Sequence, residues 1–86
     1  MSYTILLERQ AEKELRSLPS QILRRIDKRL IALSEEPWPR GVLKLKGKEG
    51  DGWRVKAGQY RILYTVDKTQ RLVKVYRIKH RRQAYR

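Results

Sequence analysis

The sequence predicts an α+β domain: two N-terminal antiparallel helices packed on one face of a small, mainly antiparallel β-sheet, in the order β-α-α-β-β-β-β. Three observations predict it. Apolar residues recur at helical spacing between residues 8 and 36; from residue 42 onward apolar and basic residues alternate; and the alternating stretches are separated by short polar or glycine-containing turns. Eighty-six residues with 40% hydrophobic content suffice for one modest core, so residues 1–86 form a single domain.

The first element is a strand over residues 2–7, where Tyr3, Thr4 and Ile5 favour extended backbone. A helix follows over residues 8–18, with Ala11, Leu15 and Leu18 on its apolar side and Glu12 and Arg16 placed as an i,i+4 pair on the wet side. Pro19 stops it. Ser20 is then the expected N-cap of a second helix, whose stripe is Leu23, Ile26, Leu30 and Leu33 and which Pro37 forbids from continuing. So short a connection makes the two helices antiparallel. Residues 42–46 and 53–57 are strands flanking a polar turn with Gly47, Gly50 and Gly52. Ala57-Gly58-Gln59 turns tightly into a strand over 60–66, and residues 67–70 turn into a last strand over 71–79, ahead of a polar tail ending at Arg86.

Strict alternation divides the sheet into two faces. Val55, Ile62, Tyr64, Leu72, Tyr76 and Ile78 fall on the side expected to meet the helices. Arg54, Lys56, Arg61, Arg77, Lys79 and, if the strand direction persists, Arg81 fall on the other, with no carboxylate among them.

Net charge sharpens this division. The chain carries 22 Lys and Arg against nine Asp and Glu, net +13, and residues 40–86 hold net +12 of it. Self-repulsion of that size lowers stability and is tolerable when a polyanion or an acidic partner neutralises it. The basic face therefore points to RNA or another polyphosphate, beyond what a merely solubilising surface needs. A second cluster, Arg24, Arg25, Lys28 and Arg29, reads as a solvated helix face.

Several chemistries are excluded. With no cysteine and one histidine, neither a zinc cluster nor a Cys-His pair can be built. Gly47-Lys48-Glu49-Gly50 lacks the phosphate-loop spacing, and the serines lie far along the chain from His80. Apolar runs are too short for a membrane span or a signal-peptide core, and the absence of cysteine suits a reducing compartment, so a cytoplasmic location is expected, with no membrane partner and no cofactor. RNA cleavage remains open, because the substrate brings its own nucleophile, the 2′-hydroxyl. Arg61 and Arg81 suit the phosphate, Lys56 is a candidate general base supported by Arg54, and Arg77, Lys79 and Arg82 are candidate RNA contacts. His80 competes as acid or base, although alternation turns it toward the helices. Tyr85, beside arginines, either stacks on an unpaired base or tucks against the sheet edge.

The segment Trp53-Arg54-Val55-Lys56-Ala57-Gly58-Gln59-Tyr60-Arg61-Ile62-Leu63-Tyr64 and the ending His80-Arg81-Arg82-Gln83-Ala84-Tyr85-Arg86 resemble the RelE branch of the RelE/ParE type II toxin superfamily, and the resemblance covers essentially the whole chain. It implies a toxin held inactive by a cognate antitoxin, which enters the ribosomal A site and cuts translated mRNA to a cyclic phosphate and a 5′-hydroxyl. By matched position it implies catalytic roles for Arg54, Lys56, Arg61, Arg81 and Tyr85, with Arg54 standing where the best-known members carry lysine. Two alternatives stay open: a ParE-like inhibitor of DNA gyrase, and a non-catalytic RNA- or ribosome-binding protein.

Overall fold

The computed structural model describes residues 2–45 and 52–84. Strand β1 (Thr4–Leu7) leads into helix α1 (Arg9–Arg16) and helix α2 (Ser20–Glu35), followed by β2 (Leu43–Lys44), β3 (Trp53–Ala57), β4 (Tyr60–Asp67), β5 (Leu72–His80) and a four-residue helix α3 (Arg81–Ala84). The expected element order holds, with α3 formed from what the sequence suggests is a polar tail. The five strands make one sheet in the order β1-β5-β4-β3-β2, parallel only between β1 and β5. This places β4 and β5, the longest strands, near the middle.

The helices start and stop for local reasons. Arg16 and Glu12 pair at 3.1 Å along α1, as their spacing predicts. Ser20, expected as the cap of α2, is instead its first residue. Pro19 takes the cap position with extended backbone, and its carbonyl accepts the first helical bond from the Leu23 N–H at 2.9 Å. Helix α2 ends before Pro37, whose carbonyl accepts a bond from the buried Tyr64 hydroxyl at 2.6 Å. Burial pushes the Tyr64 phenol well above its ordinary pKa.

Ala11 of α1 and Ile26, Leu30 and Leu33 of α2 pack on Val55, Ala57, Ile62, Tyr64, Val73, Val75 and Ile78, all buried. The last three expose a departure from strict alternation. Val66 pairs with Val73 and Tyr64 with Val75, but Leu63 pairs with Arg77, leaving Tyr76 as an extra residue in a β-bulge. The bulge reverses the faces of the β5 residues that precede it, so Leu72 and Tyr76, expected in the core, stand on the open face. Val73 and Val75 take their place. Gly52, just before β3, agrees with that side: a Cβ there would lie 2.7 Å from the Tyr76 hydroxyl, so the ring end rests against the glycine.

Candidate functional site

Register assembles the basic face in two rungs. Lys56, Arg61 and Lys79 stand directly opposite one another across β3, β4 and β5, and Arg54, Leu63 and Arg77 form the rung beside them. Like charges directly opposite on a sheet are destabilising, and among the described residues no carboxylate stands within the Lys56-Arg61-Lys79 register. Arg61, however, is not laid out in solvent. It is only 6% exposed, and one guanidinium nitrogen donates to the Gly58 carbonyl at 3.1 Å and the Tyr60 carbonyl at 2.9 Å. Its head is therefore drawn toward the β3–β4 hairpin and held there by the turn backbone. Lys56 is exposed and Lys79 half-buried, so two amines flank the fixed guanidinium. An amine gives up its proton far more readily than a guanidinium does. Lys79 thus joins the row as a second lysine, which sequence alone places only as an RNA contact.

Arg77 has a different environment. Its Nε and one terminal nitrogen donate to a Glu14 carboxylate oxygen at 3.0 and 2.7 Å, and the other oxygen accepts the Ile78 N–H at 2.7 Å. Burial pushes the Glu14 carboxyl up, but the Arg77 bonds, the Ile78 N–H and the Arg77 charge outweigh it and hold it below the usual carboxylate range. The bond to Glu14 raises Arg77 in turn. Glu14 comes from α1 and closes the part of the β5 edge that lies beyond β1. The expectation of six cations without a carboxylate is corrected here, because Arg77 is committed to an ion pair that ties α1 to the sheet.

Arg81 also departs from the strand pattern. Strand β5 ends at His80, the Arg81 N–H donates to the Gln59 carbonyl at 2.7 Å, and the chain turns into α3, carrying Arg81 and Arg82 exposed at the hairpin end of the sheet. Tyr85 lies outside the described residues. His80 faces the helix side, as alternation predicts, with its ring edge-on to Tyr60 at a centroid separation of 5.3 Å. The basic cluster on α2 divides: Arg25 lies over the turn, where a Cβ on Gly58 would come 2.5 Å from its guanidinium, while Arg24 and Lys28 are exposed. Gly58 has φ +64°, the left-handed conformation a two-residue hairpin needs at its first central position. The supporting roles of Gly58 and Gln59 are the part of the site that sequence alone missed; the tight turn was visible, its carbonyls' use was not.

Among the described residues, no helix is long and apolar enough to cross a membrane.

Comparison with known proteins follows the same lines. A family model described as the ParE toxin of the type II toxin–antitoxin system parDE matches residues 5–85. No curated protein sequence matches the chain. Among solved structures, the archaeal RelE–RelB complex from Pyrococcus horikoshii matches with 35% identity and a TM-score of 0.81, covering 94% of this chain and 97% of that one. The toxin–antitoxin complex RelBE2 from Mycobacterium tuberculosis matches with 28% identity and a TM-score of 0.83, covering 93% and 99%. A double-arginine mutant of the E. coli toxin RelE in the free state matches with 26% identity and a TM-score of 0.80, covering 99% and 90%. The fold, the near-complete coverage and the family match agree: the chain belongs to the ParE toxin family of type II toxin–antitoxin systems, within the RelE/ParE superfamily.

Proposed function

We propose that this toxin is a ribosome-dependent endoribonuclease that cuts translated mRNA by attack of a 2′-hydroxyl on the adjacent phosphate. The observation that carries it is the Lys56-Arg61-Lys79 rung, three cations in register across β3, β4 and β5 whose middle member is held by two turn carbonyls. A guanidinium held in advance is suited to the charge that grows on a phosphate in the transition state. In this account Arg61 and Arg81 stabilise that charge, Lys56 takes the 2′-hydroxyl proton with Arg54 beside it, and Tyr85 stacks on the exposed base. Lys79 and Arg82 hold the RNA backbone, whereas Arg77 serves the fold through Glu14. The ribosome supplies the in-line geometry that a site without a paired acid and base does not impose by itself.

An antitoxin covers the toxin in the cell. The relatives from P. horikoshii and M. tuberculosis were solved as toxin–antitoxin complexes, and net +12 over residues 40–86 calls for an acidic or amphipathic partner.

The family match also favours a second reading, a ParE-like inhibitor of DNA gyrase acting by protein contact. One experiment separates them. Added to a translating extract, the toxin should generate new mRNA ends at ribosome-occupied codons, carrying a cyclic phosphate upstream and a 5′-hydroxyl downstream. Intact message together with loss of supercoiling by purified gyrase would establish the second reading instead.

A further inference from the structure

The junction between β5 and α3 is held by three bonds, two of them to Gln59 of the β3–β4 hairpin and the third within the junction. The Arg81 N–H donates to the Gln59 carbonyl at 2.7 Å, the His80 ring meets the Gln59 side-chain oxygen through Nε2 at 3.3 Å, and the Arg82 N–H donates to His80 Nδ1 at 3.3 Å. A backbone N–H can only donate, so Nδ1 must be the bare, accepting nitrogen. The ring proton then sits on Nε2 and is donated to Gln59. His80 therefore holds the capping position of α3, its side chain accepting from the second helical N–H as a capping Asn or Asp would. The same turn, through the Gly58 and Tyr60 carbonyls, holds Arg61.

We propose that His80 is a positioning residue: as its neutral Nε2–H tautomer it caps the C-terminal helix and locks it to Gln59, so that one hairpin sets both Arg61 and Arg81. The role in cleavage rests on the nuclease reading above; the cap itself does not. His80 is thereby excluded as the general base, since it faces the helix side of the sheet with both ring nitrogens engaged. Protonation of Nδ1 sets donor against donor at the Arg82 N–H and removes the cap. Arg25 of α2 and Tyr60 of β4 face the ring across the 410 Å³ cleft that His80 lines, the Arg82 N–H meets it from α3, and among the described residues no carboxylate lines that cleft. Loss of that acceptor would loosen the helix that carries Arg81.

Two measurements on the full-length toxin test this. Long-range proton–nitrogen NMR should show the Nε2–H tautomer at neutral pH, and the Arg82 amide should shift and lose exchange protection with the same midpoint as the ring. An Nδ1–H tautomer, or an Arg82 amide indifferent to the ring, would overturn the cap whether or not the protein cuts RNA. In cleavage on programmed ribosomes, His80→Ala should lower kcat roughly five- to tenfold, the scale of a lost helix cap, with KM little changed. His80→Asn, which keeps an accepting oxygen and cannot ionise, should stay within about twofold of wild type and lose the acid-side fall in rate. If Asn is as inactive as Ala, the ring itself does chemistry and the positioning role is wrong. If wild type cuts nothing, the nuclease reading fails while the NMR result still decides the clamp.

Discussion

On the helix-covered face, Val55, Ile62, Tyr64, Val73, Val75 and Ile78 are at most 3% exposed, while the same three strands carry Arg54, Lys56, Arg61, Arg77 and Lys79 on their other face. Neighbouring residues of one strand thus answer to opposite demands. The covered face contributes the burial that lets the domain fold, and the open face holds a row of like charge that works against folding. A row kept at that cost supports the proposal that this face meets a polyanion. Arg77 shows the contrast inside a single rung: where a carboxylate reaches a cation, the pair becomes scaffold.

Substitutions on the two faces should separate accordingly. The largest effect on stability is expected at Ile62, where Ile62→Ala leaves a cavity among fully buried side chains and should cost about 2–5 kcal/mol in denaturant unfolding. Lys56, on the other face of the adjacent strand, should behave in the opposite way. Lys56→Ala removes one member of the charged row and should leave stability within about 0.5 kcal/mol of wild type, or raise it. A loss at Lys56 comparable to that at Ile62 would abolish the distinction between the faces.

A middle-sized effect is expected where the faces are tied together. Glu14→Gln weakens the bonds to Arg77 and Ile78 and should cost about 1–3 kcal/mol at neutral pH. Its pH dependence has a fixed sign. The folded carboxyl is held below its ordinary value near 4.5, so its stabilisation is present above that value and is lost as pH falls through the lower folded-state value. The gap between wild type and Glu14→Gln should therefore narrow on acidification, measured as the urea midpoint from pH 7 to pH 3; a constant gap would show that Glu14 acts without its charge. The smallest effects belong to Arg24→Ala and Lys28→Ala on the exposed side of α2, each within about 0.5 kcal/mol in stability and about one unit of salt slope in RNA binding, with cleavage retained. Arg25 is set apart from them, because it packs over Gly58.

Periodicity located both helices and the strands from Trp53 onward, because those signals are local. What it could not locate were effects set by partners distant along the chain. The bulge at Tyr76 arises from pairing with β4 and moved Leu72 to the open face, although nothing in residues 71–79 marks the slip. Glu14 and Arg77 lie 63 residues apart, so their pairing has no sequence signature. The basic row itself was legible from alternation, which survives on the hairpin side of the bulge. The withdrawal of Arg61 toward the Gly58 and Tyr60 carbonyls was not, because alternation assigns a face and says nothing of where a long side chain ends.

As proposed, the open face performs chemistry in addition to gripping RNA. Single-turnover cleavage on programmed ribosomes, measured beside equilibrium RNA binding for Arg61→Ala, Arg81→Ala and Lys56→Ala, tests it most directly. Each variant should lose on the order of a hundredfold or more in cleavage rate while binding falls far less, and the Lys56→Ala defect should shrink at higher pH as hydroxide substitutes for the amine. Cleavage and binding falling in equal proportion across all three would show that the face is only an electrostatic clamp.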